Sequence, residues 1–176
     1  MNAQELTQLP DIGMNYELVC GELKMMSPAG GRHGRIANRI SLLLSKHVES
    51  NNLGIVLAAE TGFRLATDPD TVRAPDVAFV TKIRYAAIED DTGYLPLAPD
   101  LAVEVLSPSG RFSDVEEKTQ CWLSHGCPLV LVVDPAQQLV FVHRSPTRIE
   151  ILRGNEIFDA DPVVVGWQVS IDQFFL

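Results

Sequence analysis

One acidic residue interrupts a segment that otherwise looks fully buried. Glu104 lies within the apolar run LAVEVL at 101–106, which has the pattern of a strand covered on both faces. A buried carboxylate without a partner is costly, so Glu104 requires a cation, a proton or a hydrogen-bonding network. Two interpretations are open: Glu104 belongs to a functional site, or it forms a structural ion pair with an arginine such as Arg73 or Arg111.

A second acid follows a proline in the segment VRAPDVAFV. Proline removes a donor from the strand ladder and marks an edge or a bulge, which redirects the next side chain, here Asp76. Pro-Asp is also common in turns. Asp76 and Glu104 are 28 residues apart, enough for a strand, a loop and the neighbouring strand. Two such carboxylates repel each other unless a divalent cation or a proton lies between them.

A lysine on the following helix completes a possible site. The inward face of that helix is predicted to carry Val115, Thr119 and Trp122, and Lys118 borders this face. Lys118 either covers the core with its aliphatic stem or directs its ammonium group at the two acids. In the second case, Asp76 and Glu104 suit Mg²⁺ or Mn²⁺. Such a metal polarises a phosphoryl group and helps to generate hydroxide, while the lysine orients the attacking water or offsets developing charge.

The elements that would position these residues follow from hydrophobic periodicity. We expect a hairpin at 16–26, an amphipathic helix at 33–51, a central strand at 100–106, and a second helix from a Ser113–Glu116 capping box to Gly126. Further strands are expected at 55–60, 63–65, 72–80, 129–133, 139–143, 149–152 and 157–158, and a strand with a helical turn at the tail. We expect 129–133 to pair with 139–143, and 149–152 with 157–158. The fold class is α/β (α+β), a mixed β-sheet flanked by helices with extra β-hairpins.

Composition limits the class of protein. The chain has 176 residues, 46% of them apolar, and we expect a single domain over 1–176. Its net charge of −9 is the opposite of what a nucleic-acid coat protein needs, so contact with phosphates must be local or metal-mediated. The basic stretch 32–46 is one such local surface. No apolar run could cross a membrane and no leader pattern is present, so we expect a cytoplasmic protein with reduced cysteines.

The ordered motifs resemble one family. RAPDVAFV, PDLAVEVLSPSG and RFSDVEEKTQCWLSHGCPLVLVVDP resemble the Uma2 (Uma-two) family of restriction endonucleases in the PD-(D/E)xK nuclease superfamily. The resemblance implies a restriction-endonuclease-like sheet flanked by helices, Asp76 and Glu104 as metal ligands, and Lys118 as the catalytic lysine. The wider superfamily carries its lysine two residues after the acid, at the position of Leu106 here. Trp122 replaces a usual tyrosine and is interpreted as a packing substitution.

Two further residues are possible accessories. Glu60 is a candidate third acid or a surface carboxylate at a strand end, and His33 is a candidate phosphate contact or a polar residue at a helix start. The leading hypothesis is a Mg²⁺- or Mn²⁺-dependent nuclease acting on DNA, and a homodimer is expected because duplex cleavage benefits from two sites. The alternatives are a catalytically silent module with a nuclease fold and a hydrolase of small phosphoesters.

Overall fold

The computed structural model describes residues 1–107 and 112–176. Its helices are α1 (Ala3–Leu6), α2 (Gly31–Ser50), α3 (Lys82–Ala86) and α4 (Phe112–Ser124), and a 3₁₀ turn covers Ile171–Phe174. Its strands are β1 (Asn15–Val19), β2 (Glu22–Met26), β3 (Gly54–Ala58), β4 (Phe63–Ala66), β5 (Thr71–Arg73), β6 (Val77–Thr81), β7 (Leu101–Val105), β8 (Leu129–Asp134), β9 (Leu139–Ser145), β10 (Arg148–Arg153), β11 (Ile157–Asp159) and β12 (Gln168–Ser170). No helix within these two ranges is long and apolar enough to span a bilayer.

The main sheet has six strands in the order β10-β9-β8-β7-β6-β3. Strand β7 is internal, parallel to β8 and antiparallel to β6, and all five of its residues are buried. A four-stranded sheet, β2-β1-β5-β4, and the pair β11-β12 accompany it. The predictions of a mixed sheet flanked by helices and of the opening hairpin are confirmed. The central strand predicted at 100–106 is confirmed as β7 (Leu101–Val105).

Helices α2 and α4 cover opposite faces of this sheet. The side chains of α2 pack with odd-numbered strand residues such as Val77 and Val103, whereas Trp122 of α4 packs with even-numbered ones such as Ala78 and Ala102. Side chains alternate between the two faces of a sheet. The even-numbered Glu104 therefore points to the α4 face, on the same side as Ala102.

The segment predicted as one strand at 72–80 is two strands in different sheets. Strand β5 belongs to the four-stranded sheet and β6 to the six-stranded sheet. The break falls at 74–76, where Pro75 offers no N–H donor and the N–H of Asp76 donates to the carbonyl of Val103 (3.0 Å). Apolar residues occur on both sides of the break, at Val72 and at 77–80, so the segment was predicted as one continuous strand.

The predicted pairing of 149–152 with 157–158 is wrong. Strand β10 pairs with β9 over its whole length, and β11 pairs with β12. The β9–β10 turn lies at 146–147, where the hydroxyl of Ser145 accepts the N–H of Arg148 (3.1 Å). Gly154, at a positive φ of 58°, directs the chain away from the sheet instead of closing a hairpin.

Helix α4 begins one residue before the expected cap. Ser113 lies inside the helix, and its hydroxyl is 3.4 Å from the Asp114 carboxylate. The predicted capping box at Ser113 and Glu116 is therefore wrong, because a cap must precede the first helical residue. The predicted end is confirmed, since the helix stops at Ser124 and Gly126 has a φ of 92°.

Candidate active site

Strands β6 and β7 bring Asp76 and Glu104 to the same end of the sheet. Val77 pairs with Val103, so Asp76 and Glu104 each lie one residue beyond this pair. Oδ2 of Asp76 accepts the N–H of Val105 (2.7 Å), and this bond fixes the carboxylate beside β7. The two acids come together because β6 and β7 are antiparallel neighbours, as the spacing predicted.

Glu104 is held by two side chains of α4. Nζ of Lys118 lies 3.0 Å from its Oε2, and the indole Nε1 of Trp122 donates to its Oε1 (2.8 Å). Trp122 is fully buried, which agrees with its interpretation as a packing substitution, and it is also a hydrogen-bond partner of the acid. The proposed structural pair of Glu104 with Arg73 is wrong, and Arg111 lies outside the described residues.

The Lys118 ammonium lies within hydrogen-bonding distance of three oxygen atoms. They are Oε2 of Glu104 at 3.0 Å, Oε1 of Glu17 at 3.0 Å and the carbonyl of Ala74 at 2.8 Å. A lysine ammonium has three N–H donors, so each donor has one acceptor. Of the two interpretations left open for Lys118, the structure shows the ammonium directed at the carboxylates.

Sequence reasoning missed Glu17 as a buried charge next to the lysine, and it considered Arg73 only as a partner of Glu104. Glu17 of β1 is 1% exposed and Arg73 of β5 is 5% exposed, and their side chains form an ion pair at 2.9 Å. Arg73 also contacts Glu117 at 2.9 Å, and Glu17 accepts the N–H of Ala74 (3.1 Å). A glutamate inside the strand pattern YELV usually faces solvent, so no local signal marked Glu17 as a site residue.

The two accessory candidates have different positions. His33, in the first turn of α2, places Nε2 at 3.1 Å from Oδ2 of Asp76, and this hydrogen bond raises the pKa of His33. Glu60 follows β3 in an exposed turn with a φ of 72°. No hydrogen bond or ion pair among the described residues joins Glu60 to Asp76, Glu104 or Lys118, so its accessory role stays a prediction.

Burial and charge shift the titration of the central groups in opposite directions. Burial, reinforced by Asp76 and Glu17, raises the pKa of Glu104 to about 7, although Lys118 opposes the shift. Burial alone would lower the pKa of Lys118, but the surrounding carboxylates outweigh it and raise that pKa. Burial would also raise the pKa of Glu17, yet Lys118 and Arg73 lower it. The site therefore keeps a cationic lysine beside a readily protonated Glu104.

The donor set fits a metal that retains water and substrate oxygens. Within residues 1–107 and 112–176, no three or more His, Cys, Asp or Glu side chains form a metal-holding group. Mg²⁺ commonly takes only one or two carboxylates together with substrate phosphates, which Asp76 and Glu104 could supply. Among the described residues, none donates a hydrogen bond to Oδ1 of Asp76, so this oxygen is the readiest ligand.

The basic stretch of α2 is partly committed to the fold. Arg35 donates to the carbonyls of Phe175 and Leu176 (3.2 and 2.7 Å), and Arg39 donates to that of Gln173 (3.0 Å). These two guanidinium groups hold the last turn of the described chain. Because Arg35 and Arg39 make these contacts, the predicted phosphate-binding surface at 32–46 would consist mainly of the other basic residues of that stretch.

The fold is similar to that of a solved structure. A crystal structure of a "putative nuclease belonging to DUF820" from Anabaena variabilis ATCC 29413 matches with a TM-score of 0.85 and 21% identity, over 99% of this chain and 97% of that one. At this identity the likeness shows the mixed α/β fold. Residues 3–172 match the model of the Uma2 family, described as "putative restriction endonuclease". The chain belongs to the Uma2 family, and the resemblance seen in its motifs is confirmed. No curated protein matches it.

Proposed function

We propose that this protein is a Mg²⁺- or Mn²⁺-dependent endonuclease that hydrolyses DNA phosphodiester bonds. The observation that carries the proposal is the contact of Lys118 with Glu104 beside Asp76. A buried acid on a central strand and a lysine from another element meet at 3.0 Å. Membership of a family described as "putative restriction endonuclease" supports a nucleic-acid substrate.

Each site residue has a distinct proposed role. Asp76 and Glu104 would hold the metal, which supplies Lewis-acid activation of the phosphoryl group and a more acidic water. Lys118 would donate a hydrogen bond to the attacking water or to the phosphoryl oxygen that gains charge. The water oxygen would bond to phosphorus and lose one proton to solvent, the ester P–O bond would break, and the leaving oxygen would take a proton from solvent. His33, hydrogen-bonded to Asp76, would fix the orientation of that carboxylate.

A cleavage assay tests the catalytic proposal. Plasmid and single-stranded DNA are incubated with Mg²⁺ or Mn²⁺ and with wild type, Asp76→Asn or Glu104→Gln. We expect each substitution to reduce the rate by about a thousandfold or more, because metal activation supplies several kcal/mol of transition-state stabilisation. The matched control is Asp100→Asn, which neutralises an acid at the opposite end of β7 and should retain the wild-type rate. Equal rates in wild type and both site variants would refute the proposal.

A second candidate is a silent binding module with the nuclease fold. It is favoured by the contacts already present: both oxygens of Glu104 and all three donors of Lys118 have partners within the protein. Titration calorimetry with Mn²⁺ discriminates between the two candidates. An endonuclease should bind Mn²⁺ in wild type and lose that binding in Asp76→Asn, whereas a silent module should bind in neither.

We also propose a homodimer, because two-fold symmetry places one site on each strand of a duplex. Light scattering at micromolar concentration measures the mass directly. The expected value is twice the 19.4 kDa of one chain. A mass of one chain with full activity on duplex DNA would contradict this expectation.

A further inference from the structure

Glu17 is not one of the two proposed metal ligands, Asp76 and Glu104, but it contacts Lys118. We propose that Glu17 is a positioning residue for Lys118: with the Ala74 carbonyl, it keeps the ammonium in the site when Glu104 turns to the metal. This inference rests on the proposed function. It assigns the opening hairpin a part in catalysis, because Glu17 lies on β1.

The same oxygen of Glu104 contacts Lys118 and would also bind the proposed metal. Its Oε2 lies 3.0 Å from the Lys118 ammonium, and as a metal ligand Glu104 would have to weaken or release that contact. The released N–H of Lys118 is then free for the attacking water. The ammonium keeps two of its three acceptors, Oε1 of Glu17 and the carbonyl of Ala74.

Glu17 is fixed strongly enough to serve as this anchor. Its Oε2 accepts from Arg73 (2.9 Å) and its Oε1 from the N–H of Ala74 (3.1 Å), and it is 1% exposed. Ala74 therefore binds Glu17 through its N–H and Lys118 through its carbonyl. Asp76 follows two residues later in the chain, so this arrangement also fixes the ammonium relative to the first proposed ligand.

A neighbouring acid supplies a matched control. Glu117 contacts Arg73 at the same distance as Glu17 does, 2.9 Å, but does not contact Lys118 among the described contacts. Glu17→Gln and Glu117→Gln remove the same charge and both remove a carboxylate partner of Arg73. Glu117 is more exposed, at 54% of its side chain. Only the Glu17 substitution should affect Lys118 directly.

The experiment measures how accessible the Lys118 amine is to acetic anhydride. Acetylation of each lysine is followed by peptide mass spectrometry in wild type and both variants, with and without Mn²⁺. Exposed Lys24 and Lys46 report reagent activity, and circular dichroism reports folding. Without metal, we expect Lys118 to react about tenfold faster in Glu17→Gln than in Glu117→Gln, because the acceptor of one of its hydrogen bonds loses its negative charge and the bond becomes weaker. With Mn²⁺ the difference should widen, while wild-type Lys118 stays protected.

The outcomes separate the two proposals. Equal Lys118 labelling in the two folded variants would overturn the positioning role. The loss of a negative charge beside Arg73, which both variants share, would then account for the labelling. Faster labelling in Glu17→Gln without any Mn²⁺ response, together with no Mn²⁺ binding by wild type, would remove the proposed function and leave the positioning of Lys118 supported.

A second pair of variants covers the case in which Glu17→Gln fails to fold. Glu17→Gln alone leaves the buried guanidinium of Arg73 without its carboxylate partner. The double variant Glu17→Gln, Arg73→Gln removes that guanidinium as well, and it is compared with Arg73→Gln alone. Lys118 labelling should again be faster in the protein that lacks Glu17. Equal labelling in this pair would overturn the inference as well. A kinetic readout adds to it: Glu17→Gln should lower kcat with little change in KM for DNA, since Glu17 is buried away from solvent.

Discussion

Strands β6 and β7 have a charged group at each end of their pairing, and the two ends are built differently. At the end formed by Thr81 and Asp100, each carboxylate oxygen has one donor. Oδ1 of Asp100 contacts Arg84 at 2.7 Å and Oδ2 accepts the N–H of Thr81 at 2.8 Å. One acid faces one cation there, and Arg84 also donates to the carbonyl of Ala98 (2.9 Å). This end is a closed structural ion pair.

The opposite end contains more acid than its cations can neutralise. Two permanent cations, Arg73 and Lys118, and one histidine, His33, face four carboxylates: Glu17, Asp76, Glu104 and Glu117. Even with His33 protonated, the carboxylates outnumber the cations. Like charges at close range are unfavourable unless a further cation or a proton is taken up. The difference agrees with a structural role for the Asp100 end, and it supports the proposal that the Asp76 end binds a cation.

The largest expected effect that tests this comparison comes from replacing one cation at each end, Lys118 at the Asp76 end and Arg84 at the Asp100 end. Lys118→Met should reduce the cleavage rate by about 10²- to 10³-fold, as expected for the loss of one transition-state donor. Its Mn²⁺ affinity should not fall, because Glu104 loses a competing partner. Arg84→Met at the other end should leave the rate within about twofold of wild type. Steady-state cleavage kinetics measure both, and equal losses in the two variants would break the comparison.

A smaller effect concerns pH. Because the pKa of Glu104 is raised to about 7, protons compete with the metal below that value and the carboxylate is free above it. The Mn²⁺ affinity should therefore rise about tenfold from pH 6 to pH 8. Calorimetry in buffers of different ionisation enthalpy should detect proton release near pH 7. His33→Gln should keep this dependence, and a flat profile in both proteins would argue against Glu104 as a ligand.

The smallest expected effect is on stability. Asp100→Asn should lower the free energy of unfolding by about 1 kcal/mol, a modest value because Arg84 is partly exposed. Mn²⁺ at a hundred times its Kd should add about 2.7 kcal/mol to wild type and to Asp100→Asn alike. Asp76→Asn should show no such addition. Urea unfolding measures all three proteins, and a lost Mn²⁺ effect in Asp100→Asn would show that the two ends are coupled.

The candidate site residues that could be identified from the sequence are those that break a local pattern. Glu104 interrupts an apolar strand, Asp76 follows a proline, and Lys118 borders the apolar face of a helix. Each exception is visible within a few residues. The central strand was predictable from its local pattern as well, since every residue of β7 other than Glu104 is apolar and the whole strand is buried.

The missed features depend on contacts between distant segments. In the sequence, Glu17 fits the pattern of a half-exposed hairpin. Its burial depends on contacts with Lys118 and with Arg73, which is 56 residues away in the chain. The hydrogen bond of Trp122 to Glu104 depends on how α4 crosses β7. The pairing of β10 depended on the turn at 146–147, whereas Gly154 and Asn155 gave a stronger local hairpin signal.

The segment 74–76 between β5 and β6 should keep its length in related sequences and in engineered variants. Arg73 on one side belongs to the four-stranded sheet and Val77 on the other to the six-stranded sheet, with Asp76 immediately before Val77. Inserting or deleting one amino acid here would shift the register and turn alternate side chains to the opposite face. Replacements that preserve the number of residues should be tolerated better at Ala74 than any change in segment length, whatever its composition.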